Sequence, residues 1–258
     1  MFKGIFAATL LFAASTMQAA GLLTPVSGNL PPLEIKDHQV SVIIEDGYAI
    51  TTVEQVFHNP HAQDLEAIYA HAPGLKILYP STPQDAFNAV LAAWEDDNPV
   101  LVFEHKRLYR SQKGPVQFDP DYRSIWHPRQ IRSGQHATLV TYGEMVHLAE
   151  KAVAYLETEY DLTFDLFDLR ALAPLDLDPI RASLARTHRL AVIHEGRGRA
   201  GFGAELVSQL VETQFFDLEA PPLRITSLDT PVPFAAELEA IYRPSVESIT
   251  EQLIEWME

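Results

Sequence analysis

The chain has 258 residues and 47% hydrophobic content, enough for one large domain or two modest ones with a real core. Its 19 basic and 35 acidic residues leave a net charge of −16, which excludes the basic footprint of a nucleic-acid binder and disfavours an anionic membrane surface. With no cysteine there is no disulfide or thiolate chemistry, so a metal site has only histidines and carboxylates to draw on.

Residues 1–20 read as an address. Lys3 gives a short positive start, GIFAATLLFAA is an unbroken apolar run, and STMQAA offers small residues for cleavage after Ala19 or Ala20. The run is too short to span a bilayer comfortably, so export to a periplasm or cell surface is expected; a buried N-terminal helix is the alternative.

From 21 to 69 the pattern is β. HQVSVIIEDGYAITTVEQVFHN holds two runs of β-branched and aromatic residues around Asp46-Gly47, a hairpin signal because glycine adopts positive φ at little cost. Asn59-Pro60 stops the second run. The stretch LLTPVSGNLPPLEIKDHQVSVIIEDGYAITTVEQVFHNPHAQDLEAIY resembles the start of a VIT domain, the β-rich module of inter-alpha-trypsin inhibitor heavy chains and exported bacterial relatives. The resemblance stops at about residue 69, so a truncated VIT-like segment with open sheet edges is implied.

The periodicity then changes. LKILYP is a short strand, and STPQDAFNAVLAAWED a helix capped by Ser81 or Thr82 with Pro83 at its first position. NPVLVFEH reads as a strand buried on both faces, and residues 111–134 as a polar linker. Four strand-helix repeats follow: HATLVTYG with EMVHLAEKAVAYLETEY, LTFDLFDLR with DLDPIRASLART, HRLAVIHEG with GFGAELVSQLVETQF, and PLRITSLD with PSVESITEQLIEWME. This alternation predicts an α/β fold, a mainly parallel sheet between two helical layers. In the first helix, Met145, Leu148, Ala149, Ala152 and Tyr155 are the expected core face.

AHAPGLKILYPSTPQDA, NPVLVFEHKRLYR, ATLVTYGEMVHLAEKA, FDLFDLRALAPLD, GFGAELVSQL and YRPSVESI together resemble the C-terminal half of a thiamine-diphosphate-dependent 2-oxoacid dehydrogenase beta subunit, of the pyruvate or branched-chain type. The resemblance implies that residues 70–124 are the tail of a pyrimidine-binding domain plus linker. It implies that 125–258 are a three-layer α/β/α transketolase C-terminal-like domain. EHKRLYR leans toward the branched-chain type. The phrase DLEAIY suits both resemblances, so the chain reads as a fusion joined near residues 65–70.

The resemblance also implies the site. His71 matches the histidine that faces the cofactor and moves protons, a task suited to a side chain that titrates near neutrality; a cap histidine at a junction is the other reading. Ala93, Asp96 and Asn98 match the downstream half of a potassium site made mostly of main-chain carbonyls. The glutamate that activates thiamine and the magnesium-diphosphate motif have no counterpart, so the chain is expected to be inactive alone. The implied partners are an alpha subunit, a second beta subunit and the acyltransferase core, with no nucleic acid and no membrane.

Other motifs stay local on residue evidence. HEGRGRAGFGAE invites an anion-loop reading, but lacks nucleotide-motif spacing, and a tight strand-to-helix turn explains its glycines. Arg197 and Arg199 are candidates for a partner surface. His194 and Glu195 end a strand at the carboxyl edge, where α/β sheets place ligands. His147 and Glu150 lack a second histidine for a metal, and Asp165 and Asp168 are expected to set strand ends and hold Arg170. Three functions therefore stand: a dehydrogenase beta-subunit relative, cytoplasmic by family habit; an exported VIT-type binding or structural module; and a non-functional fusion product.

Overall fold

The computed structural model describes residues 34–45, 48–58, 65–233 and 235–258, the first two stretches as backbone. The chain divides into two units, Met1–His61 and Ala62–Glu258. In the first, β1 (Glu34–Glu45) and β2 (Tyr48–His58) pair antiparallel, with Glu45 opposite Tyr48 and a register shift between Ile35 and Asp37. That register leaves Asp46-Gly47 as the two linking residues, in keeping with the hairpin expected from the sequence. Asp46-Gly47, the leader segment and Asn59-Pro60 lie outside the described residues.

The second unit begins with a helix, α1 (Leu65–Ala70), where the sequence pattern suggested a continuing strand. Leu65, Glu66 and Ala67 are good helix formers, and Ala67, Tyr69 and Ala70 pack onto the core, so burial and propensity agree on helix. A three-stranded sheet of order β4-β3-β8 follows: β3 (Lys76–Leu78) runs parallel to β4 (Val100–Val102) and antiparallel to β8 (Ala171–Ala173). Between β3 and β4 lies α2 (Pro83–Trp94), with Pro83 opening it and the Thr82 hydroxyl accepting from the Asp85 amide, as the sequence requires. β4 is only half-buried instead of covered on both faces, because it is the edge of this sheet among the described residues.

After the short α3 (Leu108–Ser111), the stretch expected to be a linker contains structure. A 3-10 helix, Tyr122–Trp126, buries Ile125, and β5 (Arg129–Arg132) becomes the antiparallel edge of the main sheet. Strand β5 carries Arg129, which pairs with buried carboxylates, and Arg132, which pairs with Glu150 and with exposed Glu157, so its polarity hid it.

The remaining elements are those the alternation predicted, together with one short helix, Ala236–Tyr242, that it did not. They are β6 (Ala137–Thr141), α4 (Met145–Tyr160), β7 (Phe164–Asp168), α5 (Asp178–Thr187), β9 (Leu190–Arg197), α6 (Phe202–Gln214), β10 (Leu223–Ser227), α7 (Ala236–Tyr242) and α8 (Val246–Met257). The five-stranded sheet has the order β10-β9-β6-β7-β5, parallel throughout except for β5. Period-two alternation divides its side chains. Leu139, Leu166 and Ile193 face α4 and α8, whereas Val140, Phe167 and Val192 face α5 and α6. The result is the expected three-layer α/β/α arrangement. On α4 the core face is Met145, Val146, Ala149, Ala152, Val153 and Leu156; Tyr155 is exposed, since it lies one step around the helix from that stripe. Among the described residues no helix is long and apolar enough to cross a membrane.

Leu139 is fully buried in the central strand between two packed faces. Leu139→Ala removes those contacts and leaves a cavity, so chemical denaturation of the variant is expected to show a loss of about 3 kcal/mol. A loss within the error of wild type would contradict this packing.

Candidate functional site

The two sheets of the second unit meet over a buried charge network. Asp85, in the first turn of α2, receives both Arg129 nitrogens at 3.1 and 2.9 Å. Asp168, at the end of β7, accepts from the Ser81 hydroxyl at 2.5 Å and from Arg129 at 3.3 Å. Arg170 lies 3.5 Å from Asp85 and donates to the carbonyls of Ser124 and His127. His147 Nε2 stands 2.8 Å from the Ser81 carbonyl. Burial raises the Asp168 carboxyl from 3.8 to about 6; the Ser81 hydrogen bond opposes that rise and the Asp85 charge adds to it.

The expected pairing of both aspartates with Arg170 is therefore corrected. From Arg170, Asp168 accepts the main-chain amide, while the guanidinium donates to the carbonyls of Ser124 and His127. Asp165 instead holds Ser183, Arg186, Gln130 and the Gly134 amide, securing α5 and β5 to the sheet. Glu150 faces Arg132.

This docking places α1 beside the start of α6, and a cleft of about 450 Å³ opens between them. His71 sits at its exposed rim, with Ala67, Ala70, Leu172 and Leu175 as apolar wall and Gly201, Phe202 and Glu205 opposite. The glycines of this turn are steric necessities. A Cβ on Gly201 would lie 2.0 Å from the Arg197 carbonyl, and one on Gly203 would lie 2.5 Å from the His194 ring. The tight-turn reading of this motif thus has a physical basis.

Ala93, Asp96 and Asn98 fall at the end of α2 and in the turn before β4. The Asp96 carboxylate pairs with Lys76 and accepts from the amide and side chain of Asn98, and these contacts, Lys76 first, hold its pKa down to about 2. The side chain is thus engaged, leaving main-chain carbonyls as the donors the potassium resemblance names.

A second cluster forms at the carboxyl edge of the main sheet. His105 Nε2 stands 2.6 Å from Glu195 and 3.5 Å from Glu144. Arg243, nearly buried, spans both carboxylates at 2.9 and 3.3 Å. Burial pushes the Glu195 carboxyl up, but the hydrogen bond and charge of His105, then Arg243 and Arg107, hold it below its usual value. Single ligand atoms of His105, Glu144 and Glu195 lie within 4.8 Å of one another, which suits a divalent ion in spacing. The guanidinium already bridges both carboxylates and His105 contacts them as well, so the cluster works as a closed ion-pair ring. Of its members only Glu195 was visible in sequence, as a strand-end residue; His105 follows β4 in EHKR, and Arg243 comes from a distant loop. Arg199 is exposed and pairs with Asp229.

Residues 128–249 match the family "Transketolase, C-terminal domain", and residues 50–112 match "Transketolase, pyrimidine binding domain". The pyrimidine-domain match begins at residue 50, inside the segment that resembles a VIT domain. The 3-methyl-2-oxobutanoate dehydrogenase subunit beta of Mycobacterium tuberculosis is 39% identical over 189 residues, covering 73% of this chain and 54% of that protein. The pyruvate dehydrogenase E1 component subunit beta of Bacillus subtilis is 36% identical over 196 residues, covering 75% of this chain and 60% of that protein. The mitochondrial counterpart of Caenorhabditis elegans is 38% identical over 194 residues, covering 73% and 54%. The chain thus spans little more than half the length of these curated relatives. The solved structure of a "split gene transketolase, inactive beta4 tetramer" shares the fold, with a TM-score of 0.57 at 18% identity over 74% of this chain and 60% of that one.

Two outcomes test the charge clusters. The raised Asp168 value means that the folded state binds this proton more tightly than the unfolded chain. The associated stability is present below about pH 4 and lost as pH rises through about 6. In paired urea titrations, Asp168→Asn should therefore gain on wild type by about 1 kcal/mol between pH 5 and pH 7.5. A difference independent of pH would refute the buried, proton-retaining carboxyl. Arg243→Met leaves Glu144 and Glu195 without their cation and should cost about 3 kcal/mol in the same titration at neutral pH; an unchanged midpoint would show the ring to be idle.

Proposed function

We propose that this chain serves as a beta-subunit-like component of a thiamine-diphosphate-dependent 2-oxoacid dehydrogenase, acting as an assembly domain that does not decarboxylate alone. The observation that carries this reading is the 39% identity to a 3-methyl-2-oxobutanoate dehydrogenase beta subunit, running through the transketolase C-terminal domain and the His71 stretch. The EHKRLYR stretch favours a branched-chain 2-oxoacid over pyruvate as the substrate of the whole assembly.

Thiamine diphosphate, when bound in such an assembly, supplies the carbanion that attacks the 2-oxo carbon. The cleft beside His71 does not fit its diphosphate: among the described residues no lysine or arginine lines it, and Glu205 offers a carboxylate that would repel phosphate oxygens. An alpha subunit is accordingly the partner assigned to the diphosphate and magnesium. His71, exposed at the cleft rim, is placed to exchange a proton with groups brought there. Potassium on carbonyls near Ala93, Asp96 and Asn98 would stiffen the turn after α2. Exposed aromatic residues support assembly: Trp94 is 72% and Phe216 98% exposed, large apolar areas that a monomer has no use for.

A second reading rests on the antiparallel pair β1–β2 together with the leader-like residues 1–20. An exported VIT-type binding or structural protein would carry that hairpin at a periplasm or cell surface, and a fusion without function would carry both parts idle.

The deciding experiment mixes the purified chain with a cognate alpha subunit, thiamine diphosphate and magnesium. Co-elution in size-exclusion chromatography with no release of carbon dioxide from 3-methyl-2-oxobutanoate or pyruvate is expected. Measurable turnover would overturn the inactivity, and failure to associate would overturn the assembly role.

A further inference from the structure

Helix α2 turns its bulk away from the core it packs on. The positions facing inward are Asp85, Asn88, Ala89 and Ala92, all small or polar. Phe87, Val90 and Trp94 lie on the opposite face, between 36% and 72% exposed. Steps of three and four residues place them in one stripe, about 10 Å long at the rise of an α-helix. The solvent face of a surface helix ordinarily carries charged and polar groups, and a helix that is apolar all round is covered on both sides.

The stripe has a flank. Gln84, in the first turn of α2, exchanges two hydrogen bonds of 2.9 Å with the main chain of Gln117, and Asn88 donates to Asp119 at 3.4 Å. These ties lay the intervening Phe118, 70% exposed, alongside the helix, and Val116 precedes it at 44%. At about 150–250 Å² for a whole aromatic side chain, the five residues leave roughly 500 Å² of apolar surface uncovered. That is as much as a monomer ordinarily shows in one patch. Doubled across two facing copies it comes to roughly 1,000 Å², the size at which specific interfaces begin.

Charge and spacing both suit a second copy of this chain. The chain carries −16, so two copies repel wherever their acidic surfaces meet. The run AFNAVLAA, residues 86–93, holds no ionisable group and brings no like charges together. The stripe also matches itself. Val90 stands between Phe87 and Trp94, so two antiparallel α2 helices about a two-fold axis at Val90 set that residue on its own equivalent. Phe87 of each copy then meets Trp94 of the other, and both rings gain an aromatic partner.

We propose that the outer face of α2 is the contact between two copies of this chain, an isologous helix pair centred on Val90. The proposal rests on the assembly reading above in treating the exposed aromatics as a contact surface, and it names the partner as the chain itself.

Sedimentation equilibrium of the full chain, without alpha subunit or cofactor, tests the assignment. At about 50 µM, a concentration suited to an interface of the smaller size class, the mass is expected to be that of two chains. Val90→Arg and Val90→Asp each set like charges on the axis, and each is expected to weaken association by roughly tenfold or more. Both should keep the far-ultraviolet circular dichroism of wild type, since this side chain is turned to solvent. Mixed in equal amounts, the two variants place arginine against aspartate and should recover the two-chain mass. A wild-type chain that stays single would overturn the proposal and leave the face to another partner such as an alpha subunit. Two-chain mass kept by either variant alone, or no recovery in the mixture, would overturn it as well. The alpha-subunit mixing experiment is separate, so the assembly reading and this contact can fail independently.

Discussion

The second unit depends on one buried contact, the Arg129 guanidinium between Asp85 and Asp168. Asp85 belongs to the helix of the three-stranded piece, Asp168 to the main sheet, and Arg129 to the edge strand between them. Both carboxylates are almost wholly inaccessible, so their charges are tolerable only while paired and hydrogen-bonded. Ser81 and Arg170 complete the set, and the same residues orient the start of α2 and the chain after β7. Every later feature inherits this geometry. The position of α1 against the core, and with it His71, follows from how β3 and β8 sit beside β7.

Polar groups do two different jobs in this molecule. Deep in the sheet, Thr138 lies 2.6 Å from both Ser183 and Thr187, and Asp165 gathers four donors, so helix α5 is fixed by satisfied hydrogen bonds as much as by apolar burial. At the carboxyl edge, by contrast, His105, Glu144, Glu195 and Arg243 form a ring that holds the segment after β4 against the domain. Arg107 adds an ion pair to Glu239 of α7. Groups with the spacing of a metal site thus act as a clasp, because an arginine takes the cation's place.

What could be read from the letters follows the same division. The four strand-helix repeats were legible because apolar runs and amphipathic helices are set by local composition, and Pro83 with Thr82 announced α2. Strand β5 was not, since Arg129, Gln130 and Arg132 are polar for the sake of distant partners Asp85, Asp165 and Glu157. The helix α1 was misread as strand because six residues give too little periodicity, and its helicity is settled by packing on Leu172 and its neighbours. Of the site, His71 was found through resemblance and Glu195 through its place at a strand end. His105 and Arg243 carried no local signal; they become neighbours only when the 137 residues between them in the chain fold.

The central claim is that the three-stranded piece, with its helix α2, is docked to the five-stranded sheet chiefly through Arg129. Native-state hydrogen exchange on Arg129→Leu tests it most directly. The account predicts that amides of Lys76–Leu78 and α2 lose protection while those of β6, β7 and β9 keep theirs, since two buried carboxylates lose their shared guanidinium at the seam only and Arg170 alone remains beside them. Unchanged protection in β3 and α2, or its loss in step with the central strands, would contradict it.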